Sequence, residues 1–297
     1  MEKYSDLHMH SLHSDDGEFT PAELVEKNYK AGVRIMAIAD HNWVKACEEG
    51  RKEAEARGMK YIDAIEIDCT YEGINLHVVG YGIDITNPKF NQLGQNIMDQ
   101  ELLCSAKKIE LTNALGFDIT KEQLDELSGN GVYTGEMFAE ALLNDARYSD
   151  HELLKPYRAG GSRSDNPYVN FYWDYYAQGK PCYTEVKFPS LKEITTLIHD
   201  NGGIAVLAHP GNNLKGKFEV FDDMVKEGLD GVECFSSYHS AEVNEYFYNK
   251  AKELGLIFTC GSDFHGKTKP AIFLGETGCF IDEKIIEEEL VAKGLIK

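Results

Sequence analysis

Residues 4–21 read YSDLHMHSLHSDDGEFTP, and two structural periods meet in them. YSDLHM (4–9) has strand length, and the two-residue period of a strand points His8 and His10 to the same side. Thr20-Pro21-Ala22-Glu23 then opens a helix, with threonine as cap, proline at the first helical position and glutamate completing a capping box. Gly32 ends that helix. The strand-then-helix unit recurs along the chain. RIMAIA (34–39), YIDAIEI (61–67), NLHVVGYG (75–82), IAVLAH (204–209), GVECF (231–235) and LIFTCGSD (256–263) read as further strands. Ser190 and Glu193 open another helix, which Gly202-Gly203 closes. Such alternation predicts an α/β fold with parallel strands and crossover helices, and strands this apolar are covered on both faces.

The rhythm stops between about Pro88 and Glu185. LLCSAKKIELTNALG (102–116) and NPYVNFYWDYYAQGKPCY (166–183) are helical, polar and aromatic, with no strand pattern. The expected organisation is one discontinuous α/β domain, 1–87 and 186–297, interrupted by a mainly helical subdomain at 88–185. The 297 residues are 42% hydrophobic and 27% charged, enough for such a core. Fifty acids against thirty bases give a net charge of -20, a field that repels a long polyanion and disfavours long nucleic acid as a partner. Seven cysteines without a CxxC pair fit reduced thiols, and no apolar run is long enough to cross a bilayer. Asp6, His8 and His10 fall where the apolar part of a secretion signal would lie, so the expected location is the cytoplasm, with no membrane partner.

The histidines and acids gather at the strands. His8 and His10 are on the first, His41 follows the second, Glu66 ends the third, and His77 is in the fourth. His209 ends IAVLAH, Asp263 and His265 end the last strand, and Asp16 hangs in the loop after the first. In a parallel barrel these ends converge on the catalytic face. Six histidines and three acids on one face repel one another unless cations hold them. Imidazole and carboxylate without thiolate suit divalent manganese, iron or zinc, and nine ligands suit two or three ions. His199 on a helix and His151 in the insertion lack ligand spacing, whereas His239 admits a phosphate-contacting or a structural role. Tyr168, Phe171, Tyr172 and Trp173 offer either base-stacking surface or a core for the insertion.

DLHMHS, SDDG, ADHN, AIEID, LHVVGYGID, AHPG and GSDFHG, in this order from Asp6 to Gly266, resemble the PHP (polymerase and histidinol phosphatase) family of metal-dependent phosphoesterases. The insertion resembles the subgroup that hydrolyses nucleoside 3′,5′-bisphosphates such as adenosine 3′,5′-bisphosphate (pAp), or trims short RNA from its 5′ end. The resemblance implies a distorted seven-stranded (β/α)7 barrel with three metals. His8, His10, Glu66 and Asp263 would hold the first ion. Glu66, His77 and His209 would hold the second, and Asp16, His41 and His265 the third. Where the family has SDG, this chain has Ser14-Asp15-Asp16-Gly17, so Asp15 is the alternative to Asp16. Asp40 would orient a ligand. Glu66, His77 and Asp263 would stand at the catalytic centre, where paired metals activate water for attack on phosphorus. The expected substrate is a small phosphorylated molecule, a nucleotide, with His239, Arg163 and Lys180 as candidates for a second phosphate. A histidinol-phosphatase-like monoesterase is the runner-up. A non-catalytic metal-binding regulatory domain is disfavoured by the presence of all nine ligands.

Overall fold

The computed structural model describes residues 4–297. Its first strand, β1 (Ser5–Asp6), pairs in parallel with β2 (Ile35–Met36), which pairs with β3 (Lys60–Tyr61). Helices α1 (Pro21–Ala31) and α2 (Cys47–Ala56) make the two crossovers. The capping box at Thr20 and Glu23 forms as the sequence predicts, and Gly32 takes the left-handed conformation at the helix end. A second sheet runs in the order β4 (Ala64–Tyr71), β5 (Ile74–Tyr81), β6 (Ile204–Leu207), β7 (Gly231–Ser236) and β8 (Ile257–Gly261).

The sheets meet along two seams. On one side, Leu7 N–H donates to Cys260 O (3.0 Å), and Met9 bridges to Phe264. On the other, His41 bridges to Glu66, with Glu66 N–H donating to Asp40 O (3.1 Å) and Asn42 N–H to Glu66 O (2.7 Å). Backbone contacts therefore run round a closed circuit. The uniformly parallel reading needs one correction, because β5 runs antiparallel to both β4 and β6. Only Glu72 and Gly73 separate β4 from β5, with φ of 48° and 79°. That is a two-residue hairpin turn, and a parallel crossover needs a dozen residues or more. The segment predicted as one strand at 61–67 also divides, into β3 and β4.

The main core packs the sheets against the helices and includes Leu7, Ile65, Val78, Val206, Val232 and Cys260 with Ile198 and Phe247. Between β5 and β6 come α3 (Pro88–Ala114), α4 (Lys121–Asp125), α5 (Gly135–Asn144) and α6 (Pro167–Tyr175), with no strand among them. They share a separate apolar cluster built on Phe117, Leu124, Phe138, Leu154 and Phe171. The chain continues through α7 (Leu191–Asp200), α8 (Pro210–Leu214), α9 (Phe221–Lys226), α10 (Ala241–Leu254) and α11 (Glu283–Ala292). Glu283, at the start of α11, returns to β1: its Oε2 accepts from Tyr4 N–H (3.1 Å) and Ser5 N–H (2.6 Å). Among the described residues, no helix is long and apolar enough to cross a membrane.

Candidate metal centre

His8 and His10 follow β1 in extended chain, and Met9 between them turns into a core with Leu24 and Val25. The period of two thus sets two imidazoles on one side and a thioether on the other. His77 reaches the same place from mid-strand because β5 is reversed, and it pairs with Asp68 of β4. His209 (φ 23°) and Asp263 (φ 56°) hold left-handed backbone that strains any residue with a β-carbon, and such outliers concentrate at functional sites. At Gly261 a β-carbon would run into the Glu233 carboxylate and His8, so the end of β8 passes close beneath the cluster only as glycine.

Glu66, fully buried, is the hub. Its Oε1 lies 3.0 Å from His77 Nδ1 and 3.0 Å from His209 Nε2. Its Oε2 lies 3.2 Å from both His8 Nε2 and His10 Nε2, and 3.1 Å from His41 Nδ1. Asp263 Oδ1 stands 2.9 Å from His10 Nε2 and 3.5 Å from His8 Nε2, and Asp16 Oδ2 stands 3.2 Å from His265 Nε2. Three sets of donor atoms fall within 4.8 Å of one another: His8, His10, Glu66 and Asp263; His41, Glu66 and His77; and His10, Asp16, His41 and His265.

The hydrogen bonds behind these rings assign their tautomers. His8 Nδ1 meets Glu233 Oε1 (3.0 Å), His209 Nδ1 meets Asn213 Oδ1 (2.7 Å), and His265 Nδ1 meets the Asp263 carbonyl (2.8 Å). His10 Nδ1 meets Ser14 Oγ (2.9 Å), whose own proton goes to Asp40 Oδ1 (3.1 Å), so Ser14 accepts from the ring. Each of the four rings is thus anchored through Nδ1 and directs Nε2 toward carboxylate oxygens. Once the rings are neutral, as ligation requires, their lone pairs face carboxylate lone pairs, an arrangement that is unfavourable in a buried site without a cation between them. Glu66 Oε2, Asp263 Oδ1, Asp16 Oδ1, His41 Nδ1 and His265 Nε2 are buried without a hydrogen-bond partner, although several have an oppositely charged atom near 3 Å. Atoms that close but not aligned for hydrogen bonds aim at common points, as metal ligands do. The donor set fits divalent transition-metal ions.

Without ions the charges in the cluster balance one another: against burial, the neighbouring carboxylates raise His8 well above an ordinary histidine and His10 and His77 to about 9. Burial alone would raise the Glu66 carboxyl, yet His8, His77 and His41 hold it well below the usual range. Asp263 behaves likewise, with Lys269, His265 and His8 overcoming burial. Burial, with His10 and Lys269 beside it, holds His265 well below an ordinary histidine. These shifts favour ionised carboxylates and a neutral His265, the states that ligate.

All nine residues expected to be ligands come together here. Asp16 faces His265, while Asp15, which also lines the cavity over the cluster, accepts from Asn130 Nδ2 (2.5 Å). Asp40 accepts from Ser11 N–H, Ser11 Oγ and Ser14 Oγ, and so steadies His10 through Ser14. Of the candidates for a second phosphate, His239 and Arg163 are engaged with other groups. His239 Nε2 accepts from Gly211 N–H, its Nδ1 lies against Cys234 O and Asn244 Oδ1, and neither nitrogen is free. Arg163 forms a two-pronged pair with Asp174 (3.0 Å each) away from the cavity over the cluster. Lys180 is a neighbour of Lys215, which lines that cavity. His199 pairs on the surface with Asp230, and His151 packs on Phe117.

Three participants escape a reading based on strand ends. Asp68 is two residues beyond Glu66, on the same side of β4, and lies 3.0 Å from His77 Nε2. Lys269 is largely buried, with its Nζ 2.9 Å from Asp263 Oδ2. Glu233 is the third: it orients His8 through Oε1, while Oε2 accepts from His209 N–H (2.8 Å). Its signal in the sequence is a lone acid inside the apolar strand GVECF, and a fully buried glutamate needs partners. Glu233→Gln is expected to weaken metal affinity or activity roughly ten- to hundredfold with the fold retained, as losses behind a ligand do. Half-saturating Mn²⁺ for activity measures this, and an unchanged value contradicts the role.

A cavity of about 460 Å³ opens over the cluster. His41, His77, His209 and Asp263 line its floor, and Val169, Tyr172 and Trp173, on α6, line the opposite wall. Of the four aromatics of that stretch, Phe171 belongs to the insertion's core, Tyr168 packs against it, and Tyr172 and Trp173 face the cavity. The description "PHP domain" matches residues 6–258. The chain belongs to the PHP family. A 5′-3′ exoribonuclease of Haemophilus influenzae is 30% identical to it over 268 residues, 89% of this chain and 91% of that protein. A 3′,5′-nucleoside bisphosphate phosphatase of Chromobacterium violaceum is 27% identical over 275 residues, 92% and 90% of the two chains. A Bifidobacterium adolescentis protein, provisionally described as a metal-dependent phosphoesterase, has a crystal structure that superposes with a TM-score of 0.77. It is 26% identical, covering 97% of this chain and 95% of that one. This PHP protein is a metal-dependent phosphoesterase, built as an α/β fold around the imidazole and carboxylate cluster.

Proposed function

We propose that this PHP enzyme removes the 3′-phosphate of a small nucleoside 3′,5′-bisphosphate such as pAp. The observation that carries the reading is a single cavity with a metal-ligand floor and an aromatic wall, Tyr172 and Trp173. Its volume suits a nucleotide, and the net charge of -20 disfavours a long polyanion. We assign His8, His10, Glu66 and Asp263 to one ion, Glu66, His77 and His209 to a second, and Asp16, His41 and His265 to a third. Manganese, iron and zinc all suit such ligands. Bound divalent ions lower the pKa of water and neutralise charge on phosphate oxygens. The chain's own side chains hold the geometry: Glu66 would bridge two ions, Glu233 and Ser14 fix the rings, and Lys269 keeps Asp263 ionised. In the reaction a water oxygen bonds to phosphorus, the ester P–O bond breaks, and the 3′-oxygen leaves with a proton. We further propose that 88–185 acts as an inserted subdomain whose α6 closes the cavity above the ions.

A second reading, trimming of short 5′-phosphorylated RNA, is favoured by the 30% identity to an exoribonuclease. Steady-state kinetics separates the possibilities. The expected kcat/KM for pAp exceeds that for 5′-AMP and for histidinol phosphate by roughly tenfold or more, because only pAp offers a second phosphate to the protein. Faster turnover of histidinol phosphate overturns the nucleotide reading and leaves the metal site untouched. Faster turnover of a 5′-phosphorylated trinucleotide moves the enzyme to RNA.

A further inference from the structure

Four lysines line the cavity, and their partners divide them. Lys108 is paired with Glu101 (2.7 Å), and Lys269 with Asp263 (2.9 Å). Lys215 and Lys217 have no carboxylate within ion-pair distance among the described residues. In a chain with 50 acids and 30 bases, two unpaired cations side by side at a cavity wall are unexpected. The Lys215 ammonium lies over the Trp173 ring, 4.8 Å from its centroid. Its backbone is left-handed (φ 50°), a strained conformation in a residue other than glycine. Burial and the neighbouring Lys180 and Lys217 lower its pKa, so a third lysine stands close by.

The chain ties this group to the metal centre. His209 sits at one end of α8 and Lys215 at the other, and five helical residues advance about 7–8 Å. Asn213, inside that helix, holds the His209 ring. The cavity therefore has a metal end and a lysine end, with Tyr172 and Trp173 on the wall.

We infer that Lys215 and Lys217, with Lys180 beside them and Trp173 as backing, form an anion subsite for the phosphate of a nucleotide substrate that is not hydrolysed. The inference rests on the nucleotide reading above and assigns that substrate's second contact. An incoming phosphate finds two ammonium groups without competing carboxylates, and displacement of Lys215 from the Trp173 face frees that face for the base.

The test compares pAp with 3′-AMP, which carries only the scissile phosphate, in the metal-loaded wild type and the Lys215→Ala/Lys217→Ala variant. Both side chains are exposed, and alanine adopts φ 50° no worse than lysine, so folding is unaffected. The expected result is a KM for pAp raised roughly tenfold or more with kcat little changed, and a KM for 3′-AMP within twofold of wild type. Lys215→Arg/Lys217→Arg restores most of the loss. An unchanged KM for pAp, or an equal loss with 3′-AMP, overturns the subsite. Binding of pAp, followed by quenching of tryptophan fluorescence, separates the two readings. Lysine-dependent binding without hydrolysis overturns the bisphosphatase reading and keeps the subsite. Hydrolysis indifferent to the lysines keeps the reading and overturns the subsite, and neither binding nor hydrolysis overturns both.

Discussion

Glu66→Gln is expected to lower kcat by about a thousandfold or more while the protein remains folded. Five imidazole nitrogens lie within 3.2 Å of the two Glu66 oxygens, so this carboxylate touches every part of the centre except Asp16, Asp263 and His265. A neutral amide supplies one weak acceptor and turns an N–H group toward imidazoles or ions. Losing one bridging charge forfeits several kcal/mol of stabilisation at the phosphate, and about 4 kcal/mol corresponds to a thousandfold in rate. Glutamine has nearly the same volume, so packing around the buried site survives, as circular dichroism will show. His199→Ala and His151→Ala are the controls. Asp230 still accepts from Ala205 N–H when His199 is gone, and the His151 side chain packs in the insertion, so both variants keep wild-type activity within about twofold. A Glu66→Gln enzyme within tenfold of wild type would falsify the bridging role.

Removing the ions should have the second large effect. Dialysis against a chelator is expected to abolish activity, and readdition of Mn²⁺ or Zn²⁺ to restore it, with two to three ions per chain by elemental analysis. Stability should follow. Ions that bind only the folded chain add about 2.7 kcal/mol at a hundred times their Kd, which for a chain of this size raises Tm by roughly 5–10 °C. The direction follows from the site: Asp16 Oδ1, Glu66 Oε2 and Asp263 Oδ1 are buried without hydrogen bonds, and a cation satisfies them. Full activity in a chelated enzyme, or fewer than one ion after reconstitution, rules out the assignment.

The sequence shows the ligands more clearly than what stands behind them, and there is a physical reason. His8, His10, His209 and Asp263 end apolar runs, where a polar residue breaks an obvious pattern. Glu233 also breaks one, but a single acid in GVECF carries no partner in the sequence; the partner, His8, is 225 positions away. Asp68 repeats the side of Glu66 by the period of two, so its place at the site was legible in AIEID. The reversal of β5 was legible as well, because YEGI leaves two residues for a turn and none for a helix. The division of the aromatics was not. Adjacent residues of α6 point to the core (Phe171) or the cavity (Tyr172), and only packing against the rest of the insertion decides which.

The seam between β1 and β8 bears on how the enzyme comes into being. Ser5 pairs with Glu283 across 278 positions and Leu7 with Cys260, so the first strand has no neighbour on that side until nearly the whole chain exists. At ribosomal rates that interval is about 15–60 s. The antiparallel hairpin of β4 and β5 can form early, since its contacts are local, whereas closing the circuit waits on long-range pairing. The nine residues of the centre are together only once His265 has emerged. A product of interrupted translation that stops before Ile257 would keep β1 and β7 with open edges, and unpaired apolar strands are templates for aggregation.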